Sequence, residues 1–510
     1  MKKAVVISLI LAVLNSAGVF AQQRPVTQKE FVAAYDAAIA KTLETVADIP
    51  GIAFVVIKDD KPIFLKAYGM ADKEAGKKAD TDTLFYMGSS TKSFTALVAA
   101  MIDKEGKIKL NDPITKYTAG VNFKTPLPDK ILVRDLLTHT SGLQNPALIH
   151  RTAFTGQIDK NDIDRTFAEG TTVNEAFVGK YRYTNLGYNI YGLLLENNLK
   201  LKWKDELQKR IFDPAGMKHS TAYISRAPSR KWSVAAPYVW DPQAGAIVRS
   251  NLNKVDNNMQ AAGGHFMSIS DLGRWLNLNM NRGRLDGKQV IPPDLLDLVH
   301  TGYTQSTRNE PPFSGDGEYG LGWQIGKYRA EKVIYHHGGY PGYRSHVSYM
   351  PDKRIAVGVL VNNDLAGGRV ADMLAAYAYD LWLGTPNLEA DYAKQLQEFA
   401  DLYARRKQGT MAEAAARAKR TSQLTEPLSA YVGKYTHDLL GTVEITVDGN
   451  SLAVRMGNMY SVSTPFTEKD TIRVVMQPGG NGEVIGFIKD ASGKFTSMRF
   501  GGQTFTKVAG

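Results

Sequence analysis

The stretch MGSSTKSFTALVAAMI, Met87 to Ile102, joins a polar turn to a long apolar run. From Phe94 its apolar residues Phe94, Leu97, Val98, Met101 and Ile102 fall at i, i+3, i+4, i+7 and i+8, which predicts a helix with one buried stripe. Ser89 and Lys92 lie three apart at its start, pointing within about 60° of each other and nearly opposite that stripe. Ala96, Ala99 and Ala100 extend their side with small residues, leaving room for other parts of the chain to close over it. Serine needs a neighbouring base, and lysine, with an ordinary pKa near ~10.4, becomes one when burial or nearby cations lower that value. A helix N-terminus also offers free N–H groups to an oxyanion. The spacing alone does not make a nucleophile, because serine is a common cap and lysine a common surface residue. It is, however, the only Ser-x-x-Lys in the chain.

Around this helix, 510 residues suffice for one large domain and a smaller one. Residues 1–21, with Lys2 and Lys3 before an apolar block ending at Ala21, have the three-part pattern of a secretory signal, and cleavage is expected after Ala21. That block is shorter than the ~20 residues of a membrane span, so an exported, periplasmic or extracellular protein with no span in its mature form is expected. Residues 22–385 mix helical patterns with β-rich runs such as GIAFVVIKDD and KRIAVGVLVNND, and read as one α/β (α+β) domain of catalytic size. Residues 386–426, with LEADYAKQLQEFADLYARRK and MAEAAARAKR, predict a helical linker broken at Gly409. From 427 to 510 the period changes to two. Val443, Ile445 and Val447 alternate with polar neighbours, DGN turns the chain, and Leu452, Val454 and Met456 alternate on the way back. EVIGFIKD and KFTSMRFGG form a second pair around Ala491 to Gly493, and the whole predicts a small antiparallel β-barrel.

Two further segments carry polar residues that make little sense as core. KYRYTNLGYNIYGLLLE places Tyr183 and Asn185 just before a helix; a phenol can pass a proton, and an amide can hold a lysine or a substrate carbonyl. In VIYHHGGYPGYRSHVSYM, His336 and Gly338 sit where a strand edge could line a cleft, with glycine allowing substrate close to the backbone. The motifs SSTK, YTN and HHG, in this order and spacing, resemble the Ser-x-x-Lys, Tyr-x-Asn and Lys/His-x-Gly motifs of the serine β-lactamase-related hydrolases. That group holds class C β-lactamases, D-alanyl-D-alanine carboxypeptidases and related esterases and S12-type peptidases. LLTHTSGL (136–143), AAGGHFMSISDLGRW around Gly263 and Gly264, YGLGW (319–323) and VLVNN ending at Asn363 support the resemblance, which spans roughly 30 to 385.

The resemblance implies a helical region beside an antiparallel sheet flanked by helices, with the site between them. It implies Ser89 as the acylated nucleophile, Lys92 as its proton acceptor, Tyr183 as general base or acid, Asn185 positioning lysine and substrate, and His336 in the third motif. The N–H groups of Ser89 and Gly339 would form the oxyanion hole, next to Gly338. YVGKY at Tyr431 to Tyr435 resembles the lipocalin-like β domain appended to some members, whose ~85 residues leave little interior once its own side chains fill it. Assembly of subunits or a structural cap is the expected role of that domain.

Where β-lactamases and carboxypeptidases carry lysine in the third motif, this chain carries His336, mostly neutral at pH 7 in its unperturbed state. Recognition of a substrate carboxylate should weaken, favouring ester or peptide hydrolysis over efficient β-lactam hydrolysis unless Arg344 restores the charge; an ordinary surface arginine is the expected reading of that residue. His139 reads as structural at a helix end, and His265 as a solvent-facing loop residue or one reaching the cleft. Loops such as NPALIHRTAFTGQIDKNDIDRTF are expected to wall the cleft. With no cysteine there is no thiol chemistry and no disulfide. His336 and His337 should point to opposite faces of a strand, and no His-x-x-x-His pair is present, which argues against a metal site; no cofactor is implied. The net charge of +11, or +9 without Lys2 and Lys3, is spread along the chain with no nucleic-acid module. The expected partners are therefore small ester, peptide or β-lactam substrates. The competing reading is a penicillin-binding or cell-wall-binding module with little turnover.

Overall fold

The structure is a computed structural model that describes residues 26–508 apart from 157, 309 and 314–316; the expected signal segment and its cleavage point lie outside the described residues. The long elements, labelled in chain order, are α1 (Gln28–Thr45), β1 (Gly51–Lys58), β2 (Lys61–Asp72), α2 (Thr91–Lys104), α3 (Leu186–Leu199), α4 (Ile269–Met280), β3 (Glu331–Tyr340), β4 (Tyr343–Met350), β5 (Ile355–Val361), α5 (Gly367–Leu383) and α6 (Leu388–Ala418). The main antiparallel sheet runs β3, β4, β5, β1, β2, with three short strands continuing beyond β3 and one beyond β2.

The run GIAFVVIK has no polar side because both faces of β1 are covered, the condition that turns an alternating strand into a continuous apolar one. Ile52, Phe54 and Val56 pack with Phe31 and Tyr35 of α1 and Leu374 of α5. Ala53, Val55 and Ile57 face the opposite core, with Leu272 and Trp275 of α4 and the α2 side chains. The second face thus binds the sheet to the helical region, and the nucleophile candidate sits at their junction. α2 is buried more widely than a single stripe: Thr91 to Ala100 are all buried, because Ala96, Ala99 and Ala100 admit neighbours on the side opposite Phe94.

α6 runs unbroken for 31 residues through Gly409, against the expected break. Its flanking helix formers outweigh a glycine penalty of about 1 kcal/mol, and the helix is pinned near that point by Lys407 on Asp48 and by Trp240 donating to Thr410 at 3.0 Å. Beyond it, nine antiparallel strands from Gly433 to Lys507 form a nearly closed barrel-like sheet. The DGN hairpin pairs Asp448 with Ser451, placing Val443, Ile445, Leu452, Val454 and Met456 inside, whereas Val447 near the turn is exposed. Tyr431, Tyr435, Phe487 and Phe495 fill the interior with contacting rings. Among the described residues no helix is long and apolar enough to cross a membrane.

Candidate active site

Ser89 stands in a 3-10 turn, Gly88–Ser90, that leads into α2. In a 3-10 turn residues i and i+3 nearly eclipse, so the serine lies over Lys92 more directly than in a regular helix. The turn is held from the sheet side: Ser345 of β4 donates to the Met87 carbonyl at 2.8 Å and shares a hydrogen bond with Ser90 at 2.8 Å. Gly88 adopts a left-handed conformation with φ of 52°.

Lys92 is completely buried, yet among the described residues no carboxylate pairs with it. Its ammonium nitrogen lies 3.2 Å from Ser89 Oγ, 2.7 Å from Asn185 Oδ1 and 2.8 Å from the Ala262 carbonyl. The rings of Tyr183 and Tyr188 cover it at 5.0 and 5.4 Å. Burial, reinforced by the positive charge of Arg308, drives its pKa well below the ordinary lysine value. A neutral amine retains both donors and gains a lone pair, so it can donate to Asn185 and Ala262 while accepting from the serine hydroxyl.

Tyr183 arrives from the chain segment just before α3, and Asn185 caps that helix. The Tyr183 hydroxyl is buried and without a hydrogen-bond partner among the described residues. Burial pushes its pKa up to about 12, against smaller downward pulls from the Ser89 hydroxyl and Arg308. His336 is buried with its ring 6.3 Å from that of Tyr183. Its Nδ1–H donates to the His337 carbonyl at 2.7 Å, which leaves Nε2 to accept from the Tyr319 hydroxyl at 3.3 Å. Burial first, and then the positive charge of Arg308, lowers its pKa to about 3, so it is neutral across the physiological range.

β3 is an interior strand, flanked by Gln324–Tyr328 and β4, rather than the expected edge. The close approach that Gly338 permits is to protein backbone rather than to substrate: a Cβ there would stand 1.9 Å from the Met87 carbonyl oxygen. Gly339, the next residue, is exposed to the cleft, and its N–H lies beside the Gly88–Ser89 turn. The structure thus brings Ser89, Lys92, Tyr183, Asn185, His336, Gly338 and Gly339 together from three segments of the chain. The cleft over them has a volume of about 650 Å³, in the usual range for small-molecule sites.

Arg344 differs from its expected surface role: it is half-buried on the cleft wall, donating to the carbonyls of Tyr343 and Tyr340 at 2.9 and 3.3 Å. His265 faces neither solvent nor cleft; it is buried behind α2, against Thr91 at 2.8 Å. His139 lies just past a helix end, packed at tilted angles against the rings of Tyr183, Tyr319 and Tyr188, with Nδ1 accepting from the Thr184 N–H. The 145–167 segment is mostly helical and none of its described residues lines this cleft; Arg308, Glu310 and Gln477 to Gly480, a connection between two strands of the C-terminal sheet, do so instead. Sequence reading missed Arg308, which lies 4.4 Å over the Tyr183 ring and pairs with Glu310. It sits in a loop without periodicity, so only its proximity in space reveals it. Tyr319, the partner of His336, had its signal in YGLGW.

A family model described as "Beta-lactamase" matches residues 37–380. The chain is 24% identical over 459 residues to "Unguisins hydrolase ungD" of Aspergillus violaceofuscus, covering 82% of this chain and 78% of that protein. It is 25% identical over 322 residues to "Protein flp" of Staphylococcus aureus, covering 62% of this chain and 60% of the relative. Among solved structures, the octameric penicillin-binding protein homologue from Pyrococcus abyssi superposes with a TM-score of 0.59 at 24% identity, over 93% of this chain and 99% of that one, a likeness of fold.

Proposed function

The chain belongs to the beta-lactamase family, and from that premise we propose that it is an exported serine hydrolase working through an acyl-enzyme on ester or peptide carbonyls, with β-lactams poorer substrates. The observation that carries this reading is the buried, carboxylate-free Lys92 at 3.2 Å from Ser89 Oγ. Ser89 Oγ attacks the carbonyl carbon as its proton passes to neutral Lys92, and the N–H groups of Ser89 and Gly339 hold the resulting oxyanion. Tyr183, held protonated by a pKa of about 12, is suited to hand a proton to the leaving group and recover one from Lys92. Asn185 keeps the lysine in place. A water molecule then repeats the sequence in reverse and frees the acid. No step calls for a cofactor.

The preference for ester and peptide over β-lactam rests on charge. His336 is neutral, Arg308 is paired with Glu310, and Arg344 spends its guanidinium on backbone carbonyls and faces Asp364 and Asp372. No lysine stands in the third motif to receive a substrate carboxylate. A panel of p-nitrophenyl acetate and butyrate, D-alanyl dipeptides and nitrocefin tests this. We expect Ser89-dependent turnover of the esters or dipeptides well above that of nitrocefin. The reverse order would overturn the preference, and stable acylation without turnover would favour the penicillin-binding reading.

Export rests on the leader-like residues 1–21, and a secreted form beginning at Gln22 is its test. Assembly through the C-terminal sheet is proposed on the position of exposed apolar side chains: Val447, Val462, Val484, Ile488 and Val508 all lie there. The Pyrococcus relative is described as octameric. A mass in solution above one chain that falls when these apolar side chains are made polar supports it; a mass of one chain excludes it.

A further inference from the structure

On the opposite face of β3 from His336, three metal-ligating atoms meet that the chemistry above does not use. His337 of β3 and His346 of β4 are register partners across the hairpin, which is why two histidines nine residues apart in sequence stand side by side. His337 Nε2 lies 3.1 Å from His346 Nδ1, and Asp372 Oδ1 of α5 lies 3.2 Å from the first and 2.8 Å from the second. From this arrangement we infer that His337, His346 and Asp372 form a binding site for one divalent first-row transition-metal ion.

Three features point to an ion. An ion placed about 2.1 Å from each atom would see them at roughly 85° to 100° of one another, three adjacent corners of an octahedron, with the remaining positions left for water or another ligand. Each imidazole also has its other nitrogen engaged as a ligating histidine requires. His337 Nδ1 lies 3.2 Å from Glu310 Oε2, and His346 Nε2 lies 2.7 Å from Ser348 Oγ, which continues to the Tyr379 hydroxyl at 2.8 Å. Those contacts direct the lone pairs of His337 Nε2 and His346 Nδ1 toward Asp372. Finally, His337 and Asp372 line the cleft, which gives an entry path, while His346 is fully buried and anchors the site. Two imidazoles and one carboxylate suit Zn(II), Fe(II) or Co(II) and not the all-oxygen preference of Ca(II) or Mg(II).

His336 and His337 diverge across the strand, as their adjacency implies; the register that brings His346 opposite His337, and the packing that brings α5 over both, are properties of the fold that no local pattern records. An ion here would tie β3, β4 and α5 together one residue before the Gly338–Gly339 backbone that faces the nucleophile.

The test uses the full chain, stripped with chelator and titrated with Co(II). We expect one equivalent to bind with visible d–d absorption, to be displaced by Zn(II), and to raise the melting temperature, since an ion that binds only the folded state stabilises it by mass action. Asp372→Asn and His337→Gln should each weaken binding at least about 100-fold, and Glu310→Gln, acting through His337, by about 10-fold. Should those variants fold poorly, anomalous diffraction from Co(II)-soaked crystals of the unsubstituted protein locates the ion directly. Absence of saturable uptake at millimolar Co(II) and Zn(II) would overturn the inference and leave a metal-free hydrogen-bonded cluster, as would an ion found elsewhere or binding untouched by both ligand substitutions. None of these readouts depends on hydrolysis.

Discussion

A lysine hidden from water without a counter-ion is expensive, and its neutral state is the cheapest way out. Lys92 meets that condition while keeping three hydrogen-bond contacts, so one residue's burial sets the chemistry of its neighbour. Replacing Lys92 with alanine should lower the acylation rate by about 10²–10⁴-fold. Lys92→Arg should not rescue it, because a guanidinium stays protonated; burst kinetics with p-nitrophenyl acetate measures both. The pH profile of kcat/KM is a sharper readout. Its rising limb should lie well below pH 10.5. Arg308 lowers the Lys92 pKa, so Arg308→Gln lets that value rise and should move the limb to higher pH. An unmoved limb would show that Arg308 does not act on the lysine.

Elements place these residues through close backbone contacts, and glycines mark where. Gly338→Ala would drive a Cβ into the Met87 carbonyl at 1.9 Å, so β3 and the Gly88–Ser90 turn must part. A displacement near 1 Å costs about 100-fold in rate, and kcat/KM of the purified variant should show it. Gly409→Ala is the counterpart: no described residue lies within 4 Å of a Cβ at that position on α6, and the helix should gain about 0.5–1 kcal/mol, seen as a higher melting temperature. The contrast bears on what the sequence could disclose. α2, α3 and the C-terminal hairpins were legible because local periodicity and turn residues determine them, and SSTK, YTN and HHG marked segments that the fold brings together at the candidate site. The break at Gly409 was misread because a single exposed glycine costs less than the flanking helix formers and the Trp240–Thr410 contact supply. Arg308, the half-buried Arg344 and the His337–His346–Asp372 cluster depend on which strands and loops meet, and no local pattern records that.

At the scale of the whole molecule, burial makes the protein acid-sensitive. His265, His300 and His336 have pKa values of about 3 in the folded state, lowered by burial, against ~6.5 when unfolded. Between those values the unfolded chain binds more protons, so stability is lost as pH falls from 6.5 toward 3. Denaturant midpoints at pH 7 and pH 5 should differ accordingly, and replacing His265 with an apolar residue should shrink the difference. The C-terminal region reaches the cleft through Gln477 to Gly480, which form part of its wall. Exchanging this loop for glycine and serine should change KM for bulky acyl groups while acetate turnover stays close to the starting value. Whether Ser89 is the nucleophile is read from the intact mass of the protein after brief exposure to a fluorophosphonate. One adduct per chain, mapped to Ser89 and absent from Ser89→Ala, is the expected result. Equal labelling of both proteins, or an adduct on another serine, would contradict it.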